Sequence, residues 1–302
     1  MVATKRTENA AVHAQLTRHG VTCPVLFLQN GLRVCAPLGP AAYEGIESVV
    51  NFNVVYDAEA GSWLLSQSPA EASLVLDGRR PSARALAAHL AATHVEAKVE
   101  DDFYAVQCGK LLMNLTNAVN ALSGEYIAPM LMQAPYRLVL AASITEAQAV
   151  YAASGVTPKA AHPRDATLLR WFVALLRSPQ FFFAATVGRK LKGRGAGHTS
   201  MAQDLMSHRV PTEIDFLNGE IVRLGRAHNV PTPVNERLIE LVKQAEAANT
   251  GSPRINGEDL AKAVGLSLGG RGGRGAGAVV LVATLAAVAA LAMKGPAAQS
   301  RL

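Results

Sequence analysis

"KLLMNLTNAVNALSG", Lys110 to Gly124, reads as an apolar helix that carries groups costly to bury. Leu111, Leu112, Met113, Leu115, Val119 and Leu122 supply its apolar side. Lys110, Asn114, Asn117 and Asn120 interrupt it with a lysine and three asparagines. A helix advances about 100° per residue, which places Asn114 about 40° to one side of Lys110 and Asn117 about 20° to the other. These three share one narrow face. Burying an unpartnered amide costs about 1–3 kcal/mol, and an ammonium costs more. Such a stripe either lines a crevice or bridges neighbouring helices, and spacing alone leaves both readings open.

Upstream of this helix the pattern is mixed α/β. Thr7 to Arg18 reads as a helix with Thr7 as its N-cap. "VLFL", Val25–Leu28, reads as a short strand, with Pro24 tolerated just before it and "QNG" following as a turn. The chain therefore opens with a strand stub, a helix and a strand. "SVVNFNVVYD", "SWLLSQ" and "ASLVLDG" read as strands, and "SARALAAHLAATH" as an alanine-rich helix. Downstream of "VEDDFYAVQCGK" helices are predicted over 103–123, 144–154, 165–177, 179–192, 199–207, 213–228 and 234–248. Ile214, Leu217, Ile221 and Leu224 form a core-facing stripe, and Thr212 with Asp215 resembles a capping box. The expected organisation is an α/β part over 1–100, an all-α part over 101–262, and a separate tail over 263–302.

Bulk composition narrows the classes. Half of the 302 residues are hydrophobic and 17% are charged, enough to bury a sizeable core. The net charge is +6, of which +4 (Arg271, Arg274, Lys294, Arg301, with no acid) lies beyond Gly265. The body is then near neutral, which argues against nucleic acid as a partner. The cluster Arg189, Lys190, Lys192 and Arg194 reads as a solvated helix end or a short phosphate contact. Three scattered cysteines with no C-x-x-C imply reduced thiols, a cytoplasmic setting and no structural metal. No apolar h-region opens the chain, so no secretory signal is expected. In the tail, a glycine–arginine linker precedes "AVVLVATLAAVAALAM", 278–293. This reads either as a C-terminal membrane anchor or as a loose alanine-rich helix; its length is borderline for a span.

"KLLMNLTNAVNALSG", together with "SMAQDLMSHRVPTEIDFLNGEIVRLGRAHNVPTPVNERLIELVK", resembles the C-terminal domain of ketopantoate reductases (2-dehydropantoate 2-reductases). "VATKRTENAAVHAQL" and "VLFLQNGL" resemble the last part of that family's dinucleotide-binding domain, so the resemblance covers roughly residues 2–262. It implies a partial Rossmann-type domain followed by a helical 6-phosphogluconate-dehydrogenase-like domain. It also implies NADPH-dependent reduction of 2-dehydropantoate, or a similar 2-oxo acid, to pantoate for coenzyme A synthesis, in a homodimer. By the same resemblance Lys110, in K-x-x-x-N, is the proton donor. Asn114 and Asn117 bind substrate, and Ser200 of S-M-x-Q-D helps hold its carboxylate. Glu213 of T-E-I-D orients the lysine or the cofactor. Lys5 of "VATK" and Asn30 of "QNG" contact the nicotinamide side. The chemistry is coherent, because hydride addition builds charge on oxygen and a positioned ammonium stabilises and protonates it. Each residue also has a bland reading: Ser200 as a helix cap, Glu213 as an acid at a helix start, Lys5 as a solvated lysine, Asn30 as a turn residue.

Departures from the family pattern qualify these expectations. The strand followed by G-x-G-x-x-G that opens the family is not seen. "GRGAGH" from Gly193 and "GRGAGA" from Gly273 imitate it, but neither is read as following a strand and opening a helix. The chain reads as starting at the fourth strand, with the pyrophosphate loop and the residues that read the 2′-phosphate missing. Ala118 stands where the second family asparagine is often placed, Asn117 lies one residue early, and Cys108 replaces a common tryptophan. The rival expectation is a non-catalytic helical interaction module or pseudoenzyme, tail-anchored through 278–293.

Overall fold

The computed structural model describes residues 1–35, 41–52, 54–57, 62–65, 73–93, 95–162, 166–188 and 197–267. The predicted basic cluster 189–194 and the apolar stretch 278–293 lie outside the described residues. Among the described residues no helix is long and apolar enough to cross a membrane. The chain divides into two compact units, Met1–Asn114 with Val156–Pro163, and Leu115–Gly155 with Arg164–Leu302.

The first unit is built on a four-stranded sheet in the order β1 (Val25–Phe27), β2 (Gly45–Val50), β5 (Ser73–Asp77), β6 (Glu96–Glu100). β1 and β2 are parallel, β2 and β5 antiparallel, β5 and β6 parallel. Strands β3 (Val54–Asp57) and β4 (Ser62–Leu65) form a separate antiparallel pair. The predicted opening strand stub is present: Val2 forms a parallel bridge to Phe27, donating to Leu26 O at 2.7 Å and accepting from Leu28 N at 2.9 Å. Alternation along β2 sorts its side chains between faces. Ile46 joins Leu74, Leu76 and Ala83 beneath α2 (Pro81–Leu90), whereas Val49 joins Val75, Phe103 and Val106 of α3 (Phe103–Asn114). On the β1 side, Val2, Val25 and Phe27 pack with Val12 and Leu16 of α1 (Asn9–Arg18). The chain enters α1 through a 3₁₀ turn, Arg6–Glu8, preceded by Lys5. Thr7 lies inside that turn, and Glu8 rather than Thr7 is the N-cap of α1, with no side-chain capping bond at either end of the turn.

The second unit is helical. Its elements are α4 (Thr116–Ser123), α5 (Ile127–Leu131), α6 (Ala134–Ala153), α7 (Ala166–Leu176), α8 (Gln180–Phe183), α9 (Ser200–Met206), α10 (Asn218–Ala227), α11 (Pro233–Ala248) and α12 (Gly257–Ala263). α8 runs on into a π turn, Ala184–Gly188. The predicted stripe Ile214, Leu217, Ile221 and Leu224 is buried throughout. The capping box is corrected: Thr212 Oγ1 donates to Glu246 at 2.6 Å and accepts from Ile214 N at 3.3 Å, and a 3₁₀ turn, Ile214–Phe216, precedes α10. Glu146 of α6 caps α11 from outside, accepting from Val234 N at 2.8 Å and Asn235 N at 3.0 Å. A carboxylate there satisfies orphan donors at the positive end of the helix. Arg137, fully buried, binds the carbonyls of Leu131, Leu176 and Ser178 and the side chain of Gln180. Burial pushes its pKa down from the ordinary arginine value.

Candidate active site

The helix predicted over 103–123 is two helices, α3 and α4, with Leu115 between them. Lys110 and Asn114 therefore sit on α3 and Asn117 on α4, and a single wheel does not describe all three. Within the first unit Lys110 and Asn114 do share a face of α3, and Gln107 joins them one turn earlier. Asn114 Nδ2 donates to Asn30 Oδ1 at 3.2 Å. The "QNG" turn is thereby held against the helix that carries Lys110. Gly31 in that turn has φ 103°, a conformation in which a side chain is strained.

Two candidate residues follow neighbouring parallel segments, the isolated Val2 bridge and β1. Lys5 comes three residues after the Val2 bridge and Asn30 three residues after Phe27. Open α/β sheets bind ligands beyond the carboxyl ends of their strands. Gln29, buried between the two, ties these ends together. Its Nε2 reaches Thr4 O at 2.9 Å and Lys5 O at 3.3 Å.

In the second unit the asparagines separate by role. Asn120 is fully buried and structural: its Nδ2 donates to Glu125 O at 2.7 Å and its Oδ1 accepts from Thr199 N at 2.9 Å. Asn117 is buried on the same helix. Ser200 is not the cap of α9. Thr199 fills that role, its Oγ1 accepting from Ala202 N at 3.4 Å, and Ser200 lies exposed in the first turn. Glu213 is buried at the start of the 3₁₀ turn and makes no capping bond there.

Sequence reading missed two members of the α3 neighbourhood. Glu47 and Gln107 are only 4% and 3% exposed. Glu47 Oε2 accepts from Gln107 Nε2 at 2.7 Å, and Glu47 Oε1 accepts from Cys35 N at 2.8 Å. Gln107 Oε1 accepts from Arg33 N at 3.4 Å. The signal for Gln107 was its position three residues before Lys110. The signal for Glu47 was an acid in step with Val49 on an otherwise buried strand. Burial and then the Glu47 charge push the Cys35 thiol up to about 12, so it is a neutral packing group and not a nucleophile. Among the described residues there is no cluster of metal-ligating side chains.

The family model described as "Ketopantoate reductase PanE/ApbA C terminal" matches residues 102–246. A 2-dehydropantoate 2-reductase of Vibrio cholerae serotype O1 is 45% identical over 56 residues, 18% of this chain. That alignment spans only 19% of the relative's length. A 2-dehydropantoate 2-reductase of Mycobacterium tuberculosis is 30% identical over 250 residues, 81% of this chain and 75% of the relative. Among solved structures, a PanE/ApbA family ketopantoate reductase from Ralstonia eutropha JMP134 aligns with TM-score 0.65 and 24% identity, covering 82% of this chain and 74% of that one. D-mandelate dehydrogenase, solved with NADH and anilino(oxo)acetate, aligns at TM-score 0.62 and 21% identity over 82% of this chain and 90% of its own. A dimeric ketopantoate reductase from Staphylococcus aureus aligns at 0.62 and 18% identity over 82% of this chain and 77% of its own. At such identities these structures speak to the fold, a Rossmann-like part and a helical part. The fold, the long alignment to the mycobacterial relative and the matched C-terminal region together establish that the chain belongs to the 2-dehydropantoate 2-reductase (ketopantoate reductase) family.

Proposed function

We propose that the chain serves the reduction of 2-dehydropantoate, or a closely similar 2-oxo acid, to the 2-hydroxy acid with NADPH as the reductant. The observation that carries the reading is the hydrogen bond of Asn114 to Asn30, which joins the K-x-x-x-N helix to the turn beyond β1. The residues present fit the nicotinamide end of a dinucleotide. Polar side chains, Lys5 and Asn30, follow the Val2 bridge and the parallel β1, and Gln29 binds the two segments together. A reduced nicotinamide bound there supplies the hydride.

In this reading Asn30 and Lys5 orient the nicotinamide side. Lys110 holds a proton on Nζ, stabilises the developing alkoxide electrostatically and then protonates it. Asn114 donates to the substrate, and Asn117 and the exposed hydroxyl of Ser200 are assigned to its polar ends. Glu213 is assigned to orienting the lysine or the cofactor. The dimer of the Staphylococcus aureus relative supports a homodimer here too.

The test follows nicotinamide absorbance with 2-dehydropantoate and NADPH or NADH. Wild type is expected to turn over with NADPH, and comparably with NADH, which differs only at the 2′-phosphate, remote from the nicotinamide contacts. Lys110→Ala is expected to lower kcat by about 10²–10⁴-fold, the usual worth of a positioned acid, with cofactor affinity little changed. Unchanged turnover in Lys110→Ala removes the lysine from this role. No turnover and no saturable cofactor binding by the wild-type chain would instead favour the non-catalytic helical module.

A further inference from the structure

We propose that Glu47 and Gln107 are a polarity-setting pair that positions the segment Asn30–Cys35 against α3 for cofactor binding. Their positions lie outside the motifs that carry the family resemblance. The effect on cofactor binding rests on the reductase reading; the positioning itself does not.

Three links make the chain. Glu47 can only accept hydrogen bonds when ionised. One of its oxygens takes the Cys35 amide at 2.8 Å, and the other takes Gln107 Nε2 at 2.7 Å. Gln107 is thereby turned so that its Oε1 faces the Arg33 amide at 3.4 Å. The same helix grips the segment a second time, at Asn114 to Asn30. Lys110 lies between the two grips. Close packing supports the arrangement: a Cβ on Gly45, two residues before Glu47, would come within 2.9 Å of Cys35 Sγ. A buried acid is costly unless its lone pairs are met. Here both carboxylate oxygens are engaged, and both partners belong to parts of the proposed site, the loop and α3. A hydrophobic pair at these positions would pack the core but could not orient two loop amides.

The direction of the bonds gives a specific test. In Glu47→Gln the new amide can accept from Cys35 N, but its Nε2 then meets Gln107 Nε2, donor against donor. Flipping Gln107 moves that conflict to the Arg33 amide. The swap Glu47→Gln/Gln107→Glu removes it. Gln at 47 accepts from Cys35 N and donates to Glu at 107, whose second oxygen accepts from Arg33 N. Charge and side-chain size are conserved across the pair.

Hydrogen exchange of the Cys35 and Arg33 amides is to be measured in wild type, Glu47→Gln and the swap, with buried amides of β5, in the same unit, as the control for its stability. Titration with NADPH and with NADH is run in parallel. The single variant is expected to exchange at least about tenfold faster at Cys35 or Arg33 than the control accounts for, and the swap to restore protection. The cofactor Kd is expected to rise about tenfold in the single variant and to recover within about threefold in the swap, with the substrate KM changed less than twofold. Loop exchange that tracks the control, or a swap no better than the single variant, overturns the proposal. If the single variant fails to fold, the swap still decides: a folded swap with wild-type loop protection supports the pairing, and an unprotected or unfolded swap sinks it. If wild type binds neither cofactor, the reductase reading fails while the exchange arm still decides the positioning.

Discussion

Two asparagines six residues apart show what a side-chain type leaves undecided. Asn120 is fully buried and answers one backbone carbonyl and one backbone amide, those of Glu125 and Thr199. Removing it strands both partners, and an unsatisfied buried group costs about 1–3 kcal/mol. Asn114 is half-buried and makes one 3.2 Å bond to another side chain. Urea unfolding is therefore expected to place Asn120→Ala about 1–3 kcal/mol below wild type and Asn114→Ala within about 1 kcal/mol of it. Turnover should show the reverse order, with Asn114→Ala the more damaged. Equal stability losses would remove the physical contrast on which the functional reading of Asn114 depends. The i, i+4 spacing of Lys110 and Asn114 was legible because the helix period puts them on one face. What Asn120 binds was not legible, because its partners lie up to 79 residues away in the chain. Ser200 gives the same lesson in reverse. Its bland role as a cap falls to its neighbour Thr199, which leaves its hydroxyl exposed.

At the scale of elements, sequence pattern worked where periodicity was strong. β1, β5, α2 and α11 are where apolar runs and periods placed them, whereas "SVVNFNVVYD", read as one strand, divides between the end of β2 and β3. β6, "EAKVE", escaped because its alternating charges hide a half-buried strand. It forms because β5 offers a parallel edge and Ala97 and Val99 pack toward α2. α6 begins at Ala134 rather than near 144, with Pro135 in its first turn, where proline costs the helix no hydrogen bond. Helix packing also explains a glycine that spacing does not. Gly225, near the end of α10, lies so close to the returning turn that a Cβ there would sit 2.8 Å from Val230 O and 2.8 Å from Thr232 Cγ2. The turn is pinned at the same residue by Val230 N to Gly225 O at 2.8 Å. Backbone cannot yield as a flexible side chain would. Gly225→Ala is accordingly expected to cost about 1–3 kcal/mol by overpacking, despite alanine's better helix propensity. Thermal unfolding checks it, and a stabilised variant would show that the turn relaxes freely.

For the molecule as a whole, the contacts proposed for the cofactor all belong to its nicotinamide side: Lys5 and Asn30, set by Gln29 and by the Glu47–Gln107 pair. Among the described residues no glycine-rich strand-to-helix turn offers a cradle for the pyrophosphate. This division was legible from the motifs, since "VATK" and "QNG" could be placed after strands while neither glycine cluster could. It makes a prediction about which part of the dinucleotide the chain senses. A ligand that binds only the folded chain stabilises it by about 2.7 kcal/mol at a hundredfold excess over Kd. Reduced nicotinamide mononucleotide is therefore expected to raise the unfolding midpoint, and 2′-phospho-ADP-ribose, which lacks the nicotinamide, to leave it unchanged. Lys110→Ala should keep the shift, because the lysine is assigned to the substrate oxygen and not to the cofactor. Asn30→Ala should lose most of it. A shift with the ADP-ribose fragment alone would place the dominant contacts at the other end of the dinucleotide and refute the assignment of Lys5 and Asn30 as the principal cofactor-binding residues.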